Sequence, residues 1–168
     1  MTSQFVDLLQ ESTEKVGGQY FHLPVSGLKA HSYRERVYCY EVYHQLQLLI
    51  RDEQRFAKYQ LAGEVDKPGH PIIRRHVPDF LFHVPGQMDA NLEVVEVKPV
   101  TTRLNGIGKD LRSLEYFLSG DVGYKAGVLL VYGGDGIGFE RFKNAFADVR
   151  IQGAFFALAQ RTWKTSSD

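Results

Sequence analysis

Only one cysteine, Cys39, occurs in the chain, so no internal disulfide can form and a reducing compartment is implied. Net charge is missing too, because Lys plus Arg and Asp plus Glu each number 20. That excludes a chain drawn to nucleic acid by its overall charge, while leaving room for a local basic patch. No apolar run approaches the ~20 residues needed to cross a bilayer. The opening stretch MTSQFVDLLQESTEK is acidic and amphipathic and lacks the basic start and apolar middle of a signal peptide. There is no internal repeat, no low-complexity tract and no Pro/Gly/Ser-rich linker. The expectation is one cytoplasmic domain over 1–168, without membrane contact and long enough to bury its own core.

Several common site motifs are also missing. No Gly-x-Ser-x-Gly elbow occurs, and Cys39 sits inside a helical pattern with no evident base, which argues against nucleophilic catalysis. NGIGKD falls short of a phosphate loop, because Arg103 and Asp110 stand where that motif needs Gly and Ser or Thr. GGDGIG has the wrong glycine spacing for a dinucleotide fold and reads as a loop. His70, His76 and His83 show no zinc spacing.

What is present is an ordered series of periodic segments. SQFVDLLQESTEK reads as a first helix with Phe5, Leu8 and Leu9 on its apolar side. SYRERVYCYEVYHQLQLLIRDEQRF is the longest helical pattern, with Ser32 as its cap and Glu35 in the capping-box position. YQLAGEVDK, PDFLFHV and NLEVVEVKPV read as strands. NGIGKDLRSLEYFLSG is helical, with Ile107, Leu111, Leu114 and Leu118 at core spacing. AGVLLVYGG reads as a strand buried on both faces, GFERFKNAFADV as a helix, and GAFFALAQRTW as either strand or helix. Short loops between the first three strands predict antiparallel pairing. The helical crossover before the fourth predicts that it runs parallel to the third.

Charge inside the strand pair is the anomaly. Alternation puts Leu92, Val94, Glu96 and Lys98 on one face, Val95 and Val97 on the other, and Asp79, Leu81 and His83 together on the preceding strand. If Val84 faces Asn91, Asp79 lies directly opposite Glu96, with Cβ atoms ~5 Å apart. Two facing carboxylates repel unless one is protonated or a cation lies between them. A hard divalent ion such as Mg²⁺ suits such a pair.

PD at 78–79 followed by EVK at 96–98 resembles the PD-(D/E)xK nuclease superfamily. The resemblance implies an α/β fold with a restriction-endonuclease-like αβββαβ core, a mixed central sheet flanked by helices, over about 33–133. It implies that Asp79 and Glu96 ligate Mg²⁺, which Mn²⁺ can replace, with help from the Val97 carbonyl, and that Lys98 readies the attacking water. The family's helix glutamate is matched here to Glu41, which shares a stripe with Val37, His44 and Leu48. The family's polar residues on the helix after ExK are matched to Lys109, Arg112 and Tyr116. Arg74 and Arg75, in KPGHPIIRRH, are candidates for phosphate contacts. His44 is the weakest site candidate, and a hydrogen-bonded core histidine is the plainer reading. Glu64 is a candidate for a further carboxylate from the first strand, beside the plain reading of an exposed glutamate.

These residues predict Mg²⁺-dependent cleavage of nucleic acid, with DNA the expected substrate and RNA open. Specificity would come from loops, a homodimer or a partner protein. Two alternatives stand beside this reading. One is a catalytically silent relative that binds nucleic acid or a partner protein. The other is a regulatory protein in which the trio is a buried ion network.

Overall fold

The computed structural model describes residues 4–21, 23–27, 32–64, 77–87, 91–119, 122–133 and 142, and the strand at 154–160. Arg74, Arg75, His70 and His76, the glycine-rich loop after Gly133 and most of the helix expected at 138–149 lie outside these residues.

Helix α1 (Gln4–Glu14) buries Phe5, Val6, Leu8 and Leu9, a stripe at helical spacing that includes the three expected residues. Helix α2 (Glu35–Arg51) is shorter than its pattern suggests. Its chain continues through Asp52 into a 3₁₀ turn at Gln54–Phe56. Ser32 does not cap it. Arg34 occupies the N-cap without a side-chain bond, and Ser32 is held in a backbone bridge to Leu23. Glu35, released from capping, is free to bond elsewhere.

Among the described residues five strands follow: β1 (Gln60–Gly63), β2 (Phe80–His83), β3 (Asn91–Pro99), β4 (Ala126–Tyr132) and β5 (Ala154–Gln160), with α3 (Leu104–Leu118) between β3 and β4. They form one mixed sheet in the order β1-β2-β3-β4-β5. The first three pair antiparallel, and β4 and β5 continue parallel to β3, as loop lengths and the α3 crossover require. The ambiguous C-terminal segment is therefore a strand. Every residue of β4 is buried, as a strand covered on both faces should be.

Two cores flank the sheet. One packs α1 and α2 on Phe80, Phe82, Val95, Val97, Val128 and Leu130. The other packs Ile107, Leu111, Leu114 and Phe117 of α3 on Leu81, Val94, Leu129 and Val131. The strand alternation is thus visible in the cores themselves. Gly133 ends β4 at φ 83°, and the Tyr33 ring lies where its Cβ would stand, so both conformation and space call for glycine.

The β2–β3 register pairs Phe80 with Val95 and Leu81 with Val94; carried one residue on, it sets Asp79 beside Glu96 as expected. The expected Val84–Asn91 pairing is not formed. His83 faces Asn91, because a bulge leaves Leu92 without an opposite residue. The bulge also turns Leu92 away from the Val94 face, and it packs with the α1–α2 core instead. Among the described residues, no helix is long and apolar enough to cross a membrane.

Candidate metal centre

β3 runs on past the start of β2. Pairing with β2 stops at Phe80–Val95, so among the described residues no strand pairs with the β2-side edge of β3 from Glu96 onward. The Val97 N–H points to that edge and donates to Asp79 Oδ2 at 2.7 Å. N–H and C=O of one strand residue project to the same side, so the Val97 carbonyl projects there too. The position opposite it belongs to Pro78, which has no N–H to offer.

Side chains from both layers meet at this edge. Asp79 shares a face with Leu81, and Glu96 and Lys98 share one with Val94, the side on which α3 packs. From α3 come Asp110 and Ser113, both buried. From the N-terminus of α2 comes Glu35. Lys98 Nζ lies 2.8 Å from Glu35 Oε1 and 3.9 Å from both Asp79 Oδ2 and Asp110 Oδ2. The Lys98 side chain is only 14% exposed, with Asp79 and Asp110 at 13% and 11%. Among the described residues, Asp110 Oδ2 has no hydrogen-bond partner beyond its longer ion pair with Lys98. These groups line an open cleft of about 500 Å³, with Arg36, Glu64 and Lys109 around them.

Burial and mutual repulsion shape the charges. Burial, then the Asp79 and Asp110 carboxylates, push Glu96 up to about 8, against a bond from Ser113 and the charge of Lys98. Burial pushes Asp79 up to about 6, although Lys98 and the Val97 N–H pull it back. Asp110 also rises to about 6, by burial opposed by Lys98. Burial works to discharge Lys98, but Asp79, Glu35 and Asp110 outweigh it and hold the ammonium charged well above its usual range. The facing carboxylates are therefore eased in two ways, by a cation among them and by the readiness of Glu96 to hold a proton. Cys39 is buried and its thiol is pushed far up, chiefly by desolvation, so it is no nucleophile.

The sequence candidates separate clearly in space. Asp79, Glu96 and Lys98 come together. Glu41 does not join them, because it lies off the buried stripe of α2 and accepts from Gln45 Nε2 at 2.7 Å. Its place beside Lys98 is taken by Glu35, which lies on the stripe with Tyr38, Cys39, Val42 and Leu46. His44 is exposed on the outer side of α2, so it is neither a core histidine nor part of the cleft. Lys109 lines the cleft, Arg112 is exposed, and Tyr116 packs edge-on against Phe117 toward the end of α3. Glu64 lies at the cleft's rim, paired with Arg36 at 2.9 Å.

The donors gathered at this edge are hard oxygens. Two carboxylates, an adjacent carboxylate oxygen and a backbone carbonyl are of the kind that Mg²⁺ accepts, and Mg²⁺ keeps much of its water. Among the described residues, no group of three or more His, Cys, Asp and Glu side chains is disposed to hold an ion as it stands, and Lys98 lies among the carboxylates instead. No family model, no curated protein and no solved structure matches the chain.

A pH dependence follows from these charges. Folded values near 6 and 8 lie above the ~4 of unfolded carboxylates, so the folded state binds more protons in between. The stabilising contribution is complete below about pH 4 and is lost as pH rises through 6 and 8. Lys98 stays charged throughout and does not alter the trend. The metal-free protein should melt several degrees lower at pH 9 than at pH 5. Glu96→Gln should flatten the upper half of the curve. Calorimetry in EDTA checks this, and a melting temperature that rises from pH 5 to 9 would refute it.

Proposed function

We propose that the chain is a metal-dependent nuclease of the PD-(D/E)xK kind, working with Mg²⁺ or Mn²⁺ on nucleic acid, DNA foremost. The observation that carries this reading is the meeting of Asp79, Glu96 and Lys98 where β3 runs on past β2, backed by Asp110 and open to a cleft. The order of α2, β1 to β3, α3 and β4 supports a restriction-endonuclease-like core. The cleft's acidic lining supports a cation requirement. Glu35, Glu64, Asp79, Glu96 and Asp110 outnumber Arg36, Lys98 and Lys109, so a phosphate would be repelled from it without added positive charge.

Asp79, Glu96 and the Val97 carbonyl would hold the ion, with Asp110 adding negative charge behind them. When bound, such an ion polarises a phosphate oxygen and lowers the pKa of water. Glu96 would have to be ionised to hold such an ion, so affinity should rise with pH. Lys98, fixed by Glu35, presents an ammonium that can orient a water or stabilise charge on a phosphate oxygen. Lys109 and Arg112 are exposed on α3 and available to a phosphate backbone.

The Lys98–Glu35 bond itself favours a second reading, a silent relative in which the lysine neutralises the cluster permanently. An assay on single- and double-stranded DNA and RNA in Mg²⁺, Mn²⁺ and EDTA separates the two. Cleavage should appear with either metal and vanish in EDTA. No cleavage of any substrate in either metal would leave the silent reading.

A further inference from the structure

A second groove adjoins the charged cleft. It has a volume of about 410 Å³ and is lined by Tyr40, Tyr43, Gly63 and Phe80, with Asp79 and Glu64 common to both spaces. Its character is different: an aromatic wall rather than charge. Tyr40 is 61% exposed, the most exposed large apolar side chain among the described residues. Tyr43 is anchored, donating to the Leu61 carbonyl at 3.1 Å and accepting from Gln47 Nε2 at 3.0 Å. Gly63 leaves the space beside that ring empty, since a Cβ there would lie 3.5 Å from Tyr43. Glu64, at the junction of the two spaces, holds a left-handed backbone (φ 40°) that non-glycine residues seldom adopt. Such outliers concentrate where ligands are gripped.

We infer that this groove takes an unpaired nucleobase of the strand whose phosphate occupies the charged cleft. The inference rests on the nuclease reading and deepens it by naming the substrate class. A base presents flat π-faces, and aromatic side chains bind them with little regard to sequence. Within a duplex both faces are already covered by neighbouring pairs, so only a splayed or single-stranded base can enter. Because Asp79 borders both spaces, a phosphate beside it has its own or its neighbour's base at the mouth of the aromatic groove. Tyr40 supplies the exposed face and Tyr43 the fixed one. The carboxylate of Glu64 offers acceptors at the rim, and its pairing with Arg36 keeps an extra cation where the strand passes between the two spaces.

The test is a pair of binding titrations in Ca²⁺, a hard cation able to bridge phosphate and carboxylates. One probe is a short oligothymidylate. The other is an abasic deoxyribose-phosphate oligomer of the same length and charge. The wild type should bind the first about tenfold tighter or more, given what one base–aromatic stack contributes. Tyr40→Ala should collapse that ratio toward one, and Tyr40→Trp should restore it. Tyr40 is largely exposed, so neither change threatens the fold. A duplex should bind no better than the abasic strand, while a duplex carrying an extruded base should regain the preference. Equal affinity for the two single strands, or no binding of either, overturns the inference. A wild type that prefers bases but cuts nothing in Mg²⁺ or Mn²⁺ upholds the groove and removes the nuclease reading. One that cuts abasic and normal strands equally well does the reverse.

Discussion

Lys98→Ala is expected to cut cleavage by about 10²–10³ and weaken the metal-free fold in one step. The ammonium lies 2.8, 3.9 and 3.9 Å from Glu35, Asp79 and Asp110. Removing one partner from a buried ion pair costs about 3–5 kcal/mol when burial is complete. Here Glu35 is 36% exposed, and the buried carboxylates can take up protons, so about 2 kcal/mol is the better figure, or roughly 4–8 °C in melting temperature. Cleavage should fall by about 10²–10³ through loss of the charge that steadies water or phosphate oxygen. The distinctive result is the response to Mg²⁺. With the lysine gone, the ion has less positive charge to contend with and more carboxylate repulsion to relieve, so it should raise the melting temperature more in the variant than in the wild type. Thermal melts with and without Mg²⁺, beside a cleavage assay, check all three parts. Wild-type cleavage rates in the variant would remove Lys98 from the chemistry.

Asp79→Asn should fail in the opposite manner. The amide oxygen can still accept from the Val97 N–H, so the local bond at 2.7 Å survives. A negative charge facing Glu96 disappears, and Glu96 then ionises more easily. The metal-free variant should be as stable as the wild type at pH 6 and more stable at pH 8. Yet it should lose the stabilisation by Mg²⁺ and about 10²–10³ in cleavage, because one of the two charged ligands has gone. Calorimetric Mg²⁺ titration with paired melts reads this directly. A variant that unfolds while keeping its Mg²⁺ affinity would make Asp79 a structural residue.

The parts of the site legible in sequence were those set by strand alternation. Asp79, Glu96 and Lys98 share a face because the side-chain period in a strand is two, and the register that brings Asp79 to Glu96 holds from Phe80–Val95 to Phe82–Glu93. Loop length does not fix the pairing at the other end of these strands. A bulge at Leu92 moved the closing pair to His83–Asn91, and it left the site intact only because it lies at the far end of both strands.

Helical phase was the harder reading. Glu41 sits on a stripe with Val37 and Leu48 that faces outward, with Leu48 39% exposed. The buried stripe runs through Tyr38, Val42 and Leu46, and Glu35 precedes Tyr38 by three residues on it. A glutamate at the head of the apolar stripe was the available signal, and the capping-box reading of Ser32 and Glu35 concealed it. Asp110 was missed for a similar reason. It falls between Ile107 and Leu114 at core spacing, where an aspartate needs a partner, and that partner, Lys98, comes from a strand rather than from the helix. Neither the Lys98–Glu35 bond nor the groove beside Tyr40 can be read from periodicity, since both depend on how α2 is set over the sheet.

The most direct measurement is anomalous diffraction from crystals grown with Mn²⁺. One peak is expected against the Asp79 and Glu96 carboxylates and the Val97 carbonyl, with the Lys98 ammonium turned toward a water or phosphate oxygen beside it. Crystals with Mn²⁺ in excess but no peak there, and with Lys98 still bonded to Glu35 among the carboxylates, would contradict a metal-dependent centre.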